Sequence, residues 1–332
     1  MRILLHLSLF VFLIISLARN GYAQHPENLV FEGAGIRGLA YGGVIDALKE
    51  QGQLDSLQRV GGTSAGAVTA LLISLRYEPE EIIRIVESTP WESFNDAQVP
   101  FLASGVYRMN KHYGWYPGDQ FHEWIASVIA SKTGSTETTF EEARIAGFLD
   151  LYVTATSVNR QELVYLSVET YPEMRLSDAM RIAISIPFYF EAVPITAEGK
   201  VVEDPSSNSV QHLLIDGGLL ANYPIHMFDR ADGQHSGRTI GVRMDTPEQI
   251  DADQQREGLV DIDINSLQSY TEALYVLTLE TLSRNSMSED DWSRTISVST
   301  EGIGPRIREL SMEERRSLIE SGKKAVDHFL ND

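Results

Sequence analysis

A glycine-rich pentapeptide, Gly62-Thr63-Ser64-Ala65-Gly66, lies between a strand candidate over 57–61 and a helix candidate over 65–75 that has almost no polar face. A helix that is apolar all round is normally buried at the centre of a sizeable domain. The G-x-S-x-G pattern sets its serine on a tight strand-to-helix turn with the oxygen exposed. Glycines are needed on both sides because a Cβ there would clash with neighbouring chain. The pattern therefore predicts a sharp turn at Ser64, although an inert Gly-Ser turn would look the same.

A second glycine-rich loop, Gly33-Ala34-Gly35-Ile36-Arg37-Gly38, follows the apolar segment Asn28–Phe31 and precedes a helical pattern over 36–50. It matches the dinucleotide-binding fingerprint G-x-G-x-x-G, which requires an acidic residue about 20 positions on, at the end of the second strand. That strand carries no carboxylate, and Asp55 lies before it, so a nicotinamide or flavin enzyme is disfavoured. Backbone N–H groups in such a loop also form an anion-binding concavity. An oxyanion hole and a purely structural turn are the remaining interpretations.

A serine nucleophile needs a base to accept its proton. Asp216 ends the apolar run 213–215 and is followed at once by Gly217 and Gly218. A carboxylate at the C-terminal end of a strand is placed for chemistry at a switch point of the sheet, and burial can raise its pKa toward working pH. An ordinary Asp-Gly turn is the alternative. None of the eight histidines lies in a glycine-rich loop, and a histidine-based hydrolase would depend on one of three of them: His226, His235 or His328.

The order of these three motifs resembles the patatin-like phospholipase family, and the resemblance covers residues 29–229. Further segments similar to that family are 114–119 (GWYPGD), 139–142 (TFEE), 151–156 (LYVTAT), 177–187 and 219–225. The resemblance implies a three-layer α/β fold with a mostly parallel central sheet flanked by helices. It also implies a serine lipid acyl hydrolase of the phospholipase A or lysophospholipase type, without a metal or other cofactor, acting in lipid degradation.

The resemblance assigns roles to residues of this chain. Ser64 is expected to be the nucleophile of the elbow, and Asp216, in the Asp216-Gly217-Gly218 motif, its proton acceptor. The oxyanion hole is expected at Gly33, Ala34, Gly35, Ile36, Arg37 and Gly38. Ala34 departs from the pattern, because the family usually has a third consecutive glycine there and alanine tolerates only ordinary φ. An inactive or lipid-binding relative is therefore an open alternative.

The first 23 residues are typical of a secretory signal: Arg2, an apolar run over 3–17, and small residues at 21 and 23. The run is short for a membrane span of about 20 residues, although Arg19 leaves an uncleaved membrane anchor as an alternative. Export to a periplasm or the medium is expected. Without residues 1–23 the chain carries 25 basic and 47 acidic residues, a net charge of −22. That charge disfavours nucleic acid and anionic membranes and favours neutral or zwitterionic lipids or small esters, with transient contact at a membrane surface.

Strand and helix candidates alternate through the first two hundred residues, which predicts a layered α/β domain. Residues 230–332 lie outside the resemblance and are expected to complete the same domain with strands over 238–244 and 295–299 and a helix capped by Ser311 and Glu314. The stretch 106–124, rich in Tyr and Trp, is expected to pack on the core or to form an acyl-binding wall. Residues 261–272 resemble a calcium loop, but position six is Ser266 where glycine is required, so we expect an acidic loop before a helix over 266–284.

Overall fold

The computed structural model describes residues 25–95, 101–230, 238–304 and 308–331. The predicted leader, residues 1–23, lies outside this part of the chain, as does His235. One sheet has the order β10-β9-β1-β2-β4-β8-β7, with β5 paired to β4, and a small second sheet pairs β3 with β6. The strands are β1 (Asn28–Phe31), β2 (Arg59–Gly62), β3 (Gly114–Tyr116), β4 (Asp150–Ser157), β5 (Glu162–Ser167), β6 (Phe188–Phe190), β7 (Val193–Ile195), β8 (His212–Asp216), β9 (Thr239–Asp245) and β10 (Thr295–Ser299).

Helices cover both faces of the large sheet, and three short 3₁₀ turns lie at Gly35–Gly38, Trp91–Phe94 and Ile225–Phe228. The helices are α1 (Leu39–Glu50), α2 (Ala65–Ser74), α3 (Pro79–Glu87), α4 (Phe101–Lys111), α5 (Asp119–Thr133), α6 (Phe140–Ile145), α7 (Leu176–Ala183), α8 (Gly218–Ala221), α9 (Pro247–Gln255), α10 (Leu267–Asn285), α11 (Glu289–Ser293) and α12 (Met312–Asn331). Within the described residues, no helix is both long enough and apolar enough to cross a bilayer.

Alternating side chains of the central strands supply both faces of the core, as strand geometry requires. Leu151 and Val153 of β4 belong to the main core, whereas Tyr152 lies on the other face and packs edge-on against Phe228. The predicted α/β fold, with a central sheet between helices, is confirmed. Helix α2 is buried along almost its whole length, as its uniformly apolar sequence predicts.

The sheet is parallel from β10 through β9, β1 and β2 to β4, and antiparallel where β5, β8 and β7 are added. The link from β4 to β5 has only four residues, 158–161, and so short a connection can join only antiparallel strands. Asp216 ends β8, which runs antiparallel to both β4 and β7.

The C-terminal part contributes to the same sheet, because β9 pairs with β1 and β10 pairs with β9. Its last helix, α12, packs closely against α1, where Gly43 and Gly322 let the two backbones approach. Ser311 and Glu314 form the predicted capping box at the start of α12. Ser266 caps α10 by accepting a hydrogen bond from the backbone of Ser269, which is consistent with the loop-to-helix interpretation of the calcium-like segment.

Candidate active site

Ser64 stands on a strained turn between β2 and α2. Its φ is 52° and its ψ −125°. Residues other than glycine rarely adopt this backbone conformation, and holding one there costs about 1–3 kcal/mol of conformational energy. The two flanking glycines are sterically required. A Cβ on Gly62 would lie 2.5 Å from the carbonyl carbon of Gly66, and a Cβ on Gly66 would lie 2.4 Å from the carbonyl oxygen of Glu32. The chain therefore has the geometry of a nucleophile elbow.

Strand β4 explains how Ser64 and Asp216 meet although 152 positions separate them. Gly62 of β2 pairs with Val153 of β4, and Asp216 of β8 pairs with Ala155 on its other side. Two strand spacings of about 4.8 Å leave a gap of about 10 Å between β2 and β8. The turn after Gly62 and the Asp216 side chain span that gap. The Ser64 hydroxyl lies close enough to the Asp216 carboxyl to lower its pKa.

Asp216 is almost fully buried, with 6 % of its surface exposed. Burial raises its pKa from 3.8 to about 6, whereas the hydrogen bonds from the Gly218 amide and the Ser64 hydroxyl lower it. The Gly218 N–H donates to Oδ1 at 2.8 Å. Gly217 cannot carry a side chain, since its Cβ would lie 2.2 Å from the Thr154 hydroxyl. The site thus holds a carboxylate that can take up a proton near neutral pH.

The loop over residues 33–38 brings backbone amides to the same place. Gly35 has a φ of 56° and begins the 3₁₀ turn, whereas Ala34 keeps an ordinary φ of −125°. The left-handed conformation thus falls on the glycine, and alanine at position 34 fits the loop without strain. The first amides of a helical turn have no partner within it, which leaves the N–H groups of Gly35 and Ile36 available. The Gly33 N–H is already engaged, because it donates to the Asn222 carbonyl at 3.0 Å.

Residues 221 and 222 join the three motifs. The Thr63 hydroxyl donates to the Ala221 carbonyl at 2.7 Å and lies 2.6 Å from the Thr154 hydroxyl. The next carbonyl, that of Asn222, accepts the Gly33 amide. One short segment after Asp216 therefore fixes both the serine turn and the glycine loop.

A buried ionic cluster lies behind the glycine loop. Glu32 accepts the Met244 amide at 2.8 Å and the Asn222 side-chain amide at 3.3 Å. Arg243 of β9, which is fully buried, lies 3.7 Å from Glu32 and 2.7 Å from Glu280 of α10. Burial raises the pKa of Glu32, and the Arg243 guanidinium opposes that rise. Sequence reasoning missed Arg243, although a charge inside the predicted strand 238–244 was the signal for it.

An apolar cavity opens beside Ser64 and Ala65. Its walls are the glycine loop, the first turns of α2, the end of α3 with the segment after it, α5 and the 184–190 segment: Gly35, Ile36, Gly38, Val68, Thr69, Val86, Thr89, Phe94, Asn95, Phe121, Trp124, Ile184, Ile186 and Phe190. Trp124 belongs to the aromatic stretch that we expected to pack on the core or to form an acyl-binding wall, and it packs against the core and lines this cavity. The lining is almost entirely apolar, so the cavity suits an apolar group better than a polar one.

In the part of the chain that the structure describes, the site of a histidine-based hydrolase is not assembled at Ser64. None of the described residues that line the Ser64 cavity is a histidine. His226 instead lies 2.8 Å from Asp229 and 3.6 Å from Asp291. That trio has metal-ligand spacing, but Arg294 already neutralises both carboxylates, at 2.9 and 2.6 Å. His328 lies in α12.

The chain is similar to known proteins both in sequence and in fold. The family model described as patatin-like phospholipase matches residues 29–229. The uncharacterised protein YqhO of Bacillus subtilis (strain 168) is 26 % identical over 313 residues, covering 91 % of this chain and 97 % of YqhO. The uncharacterised protein R571 of Acanthamoeba polyphaga mimivirus is 26 % identical over 305 residues, covering 90 % of this chain and 92 % of R571. The crystal structure of VipD from Legionella pneumophila shares the fold, with a TM-score of 0.57 and 16 % identity over 92 % of this chain and 67 % of VipD.

Proposed function

The chain belongs to the patatin-like phospholipase family and is a lipid ester hydrolase, and from that premise we propose that it works through a Ser64–Asp216 dyad and an acyl-enzyme. The observation that carries the proposal is the placement of Ser64 beside a buried Asp216, on strands either side of β4, where burial raises the pKa of Asp216 to about 6. A carboxylate with that pKa is largely ionised at pH 7 and can still accept a proton in the transition state.

In the first half-reaction, Ser64 Oγ attacks the carbonyl carbon of the ester while its proton passes to Asp216. The oxyanion is stabilised by the Gly35 and Ile36 amides, and each such donor is typically worth about 2.7–4 kcal/mol in barrier height. The intermediate collapses when the ester C–O bond breaks and Asp216 returns the proton to the leaving alcohol. Ser64 is then acylated.

In the second half-reaction, Asp216 takes a proton from water, and the resulting hydroxide attacks the acyl-enzyme. Breakdown of that intermediate releases a fatty acid and returns the proton to Ser64. The apolar cavity beside Ser64 supports a fatty acyl group as the part that is transferred. The net charge of −20 supports a neutral or zwitterionic lipid as its carrier.

A fluorophosphonate probe tests the dyad, because it reacts only with an activated serine. We expect labelling at Ser64 and hydrolysis of p-nitrophenyl butyrate, both reduced by about 10³-fold or more in Ser64→Ala and Asp216→Asn. Ser266→Ala is the matched control, since Ser266 also caps a helix but lies on the surface. Near-full activity in either dyad variant contradicts the assignment, and so does labelling at another residue.

We also propose that the chain is exported, with cleavage after Ala23. The basic start, the apolar run and the small residues before position 24 support this. N-terminal sequencing of the protein recovered from its own cells tests it. A mature chain that begins at Gln24 is the expected result, and recovery of the uncleaved chain in membranes would favour the anchor instead.

A further inference from the structure

Among the described side chains of one small unit outside the main sheet, four large apolar ones are exposed. The unit consists of α4, β3, the link between them and β6, and the exposed fractions are 54 % for Val106, 59 % for Tyr107, 47 % for Tyr113 and 71 % for Phe188. Exposed apolar groups concentrated in one region usually mark a surface that binds something. We call these four residues, together with Lys111, the α4–β6 face.

The residues of this face are neighbours. Gly114 pairs with Phe188 in the small sheet, which places Tyr113 at the edge beside Phe188. Helix α4 lies directly against β3, where a Cβ on Gly105 would be 2.6 Å from the Trp115 ring. The four residues therefore lie on elements that pack together as one unit.

The same unit forms a wall of the Ser64 cavity. Ile186 and Phe190 line the cavity on either side of Phe188 along the chain. The Tyr189 hydroxyl donates to Asn95, another cavity residue, at 2.5 Å. A molecule bound at the α4–β6 face would thus contact the unit that forms part of the cavity wall.

The fold does not require aromatic residues at two of these positions. Tyr113 has a φ of 64° and Phe188 a φ of 67°, and bulky residues are genuine outliers there. A regular strand would direct residues 186, 188 and 190 to the same side, but Phe188 departs from strand geometry and stands in solvent. Glycine or asparagine would fit the backbone conformation at both positions better, so folding alone does not explain why aromatic rings are exposed there.

The charges on and around the α4–β6 face indicate which partner it binds. Lys111 is exposed in the last turn of α4, and Arg108 lies beside it, 3.4 Å from Glu191. Exposed tyrosine rings typically lie at the headgroup level of a lipid layer, next to the acyl chains. Lysine side chains extend along the apolar region and place their ammonium groups at the phosphates. The rest of the protein is strongly acidic, with a net charge of −20, which opposes an anionic surface. We infer that the α4–β6 face docks on a zwitterionic phospholipid surface and presents the Ser64 cavity to it.

The available area argues against a second copy of the chain. The four apolar side chains expose on the order of 400–500 Å², whereas a stable protein interface takes about 800 Å² from each partner. A lipid surface needs no shape complementarity, because its acyl chains accommodate whatever inserts. The inference rests on the proposed function only in taking lipid as the substrate.

The experiment measures vesicle binding separately from catalysis. Full-length Ser64→Ala protein is mixed with phosphatidylcholine vesicles and its bound fraction measured by flotation. The test variant adds Tyr113→Asn and Phe188→Asn, since asparagine tolerates positive φ. The matched control adds Ile145→Asn and Val158→Asn, two exposed apolar residues away from this face, 79 % and 46 % exposed. All proteins share residues 1–23, so any contribution of that segment is common to them.

We expect the test variant to lose vesicle affinity at least tenfold and the control to keep it. With Ser64 restored, the test variant should hydrolyse soluble p-nitrophenyl butyrate within twofold of the unaltered protein. Equal vesicle binding by test and control variants overturns the docking face, and so does a dimer that the test variant loses while its vesicle binding persists. Tighter binding to equimolar phosphatidylcholine and phosphatidylglycerol overturns the zwitterionic preference. A protein that binds vesicles but never hydrolyses the soluble ester refutes the proposed function alone.

Discussion

Asp216→Asn should make the protein inactive and, at the same time, more stable. Burial raises the pKa of Asp216 from 3.8 to about 6, so the folded protein disfavours the ionised form. Between those two pKa values the folded state holds more protons than the unfolded state, and stability falls as pH rises through that window. Asparagine has nearly the same shape and no charge, so position 216 no longer lowers the folding stability of the variant as pH rises.

The size of the effect follows from the pKa. A shift of about 2 units corresponds to about 3 kcal/mol of folding free energy, fully present at pH 8. At pH 5 the carboxyl is only about one-tenth ionised in the folded state, and about half of the penalty is present. The stability advantage of the variant should therefore grow by about 1 kcal/mol between pH 5 and pH 8. Contributions that do not depend on pH, such as altered hydrogen bonds to Ser64 and Gly218, cancel in this comparison.

Urea denaturation followed by circular dichroism at pH 5 and pH 8 measures the change. Asp251→Asn is the control, because it makes the same substitution at an exposed position on α9. The activity of the unaltered enzyme should fall about tenfold from pH 7 to pH 5 with a midpoint near pH 6. If the stability difference of Asp216→Asn is the same at both pH values, the carboxyl is not held in an environment that opposes ionisation. That result would refute the assignment of Asp216 as a carboxylate base.

Three further changes test the site and its support. Gly66→Ala places a Cβ 2.4 Å from a backbone oxygen, so urea denaturation should show a loss of about 1–3 kcal/mol together with loss of fluorophosphonate labelling. Val68→Phe narrows the cavity one helical turn beyond the serine, and the ratio of kcat/KM for p-nitrophenyl octanoate over butyrate should fall by about tenfold. Arg243→Met leaves Glu32 buried without its cation and should lower the free energy of unfolding by about 3–5 kcal/mol, whereas Arg256→Met, in an exposed ion pair, should change it little.

The local elements of this protein could be read from its sequence because each has a local cause. Strand β1 has the predicted bounds, and helix α2 ends one residue earlier than predicted. Gly62 has a local cause, because a Cβ there would meet the backbone of Gly66, whereas Gly66 is required by a tertiary contact with the carbonyls of Phe31 and Glu32. The family resemblance then supplied which loop belongs with which serine.

The orientation of β8 could not be read in the same way. Its apolar run and its final carboxylate look alike in a parallel or an antiparallel strand, because side-chain alternation does not depend on direction. The decisive information is the absence of a crossover helix between β7 and β8, which only a complete assignment of 196–211 reveals. The cavity could not be predicted from the sequence either. Its walls include α2, α5, the 184–190 segment and the 3₁₀ turn with Phe94, and nothing in the sequence around Phe94 indicates that it will face Ser64.

The C-terminal part of the chain is tied to the chemistry although the family match ends at residue 229. Strand β9 is the direct neighbour of β1, and its Met244 amide and Arg243 guanidinium hold Glu32 in place. Glu32 immediately precedes the glycine loop, so its position sets where the Gly35 and Ile36 amides point. We propose these amides as the oxyanion donors, and displacing such a donor by about 1 Å is enough to forfeit much of its effect. The residues that hold the loop from behind are thus contributed by a strand outside the matched segment, which is why the matched segment alone does not contain everything that the site requires.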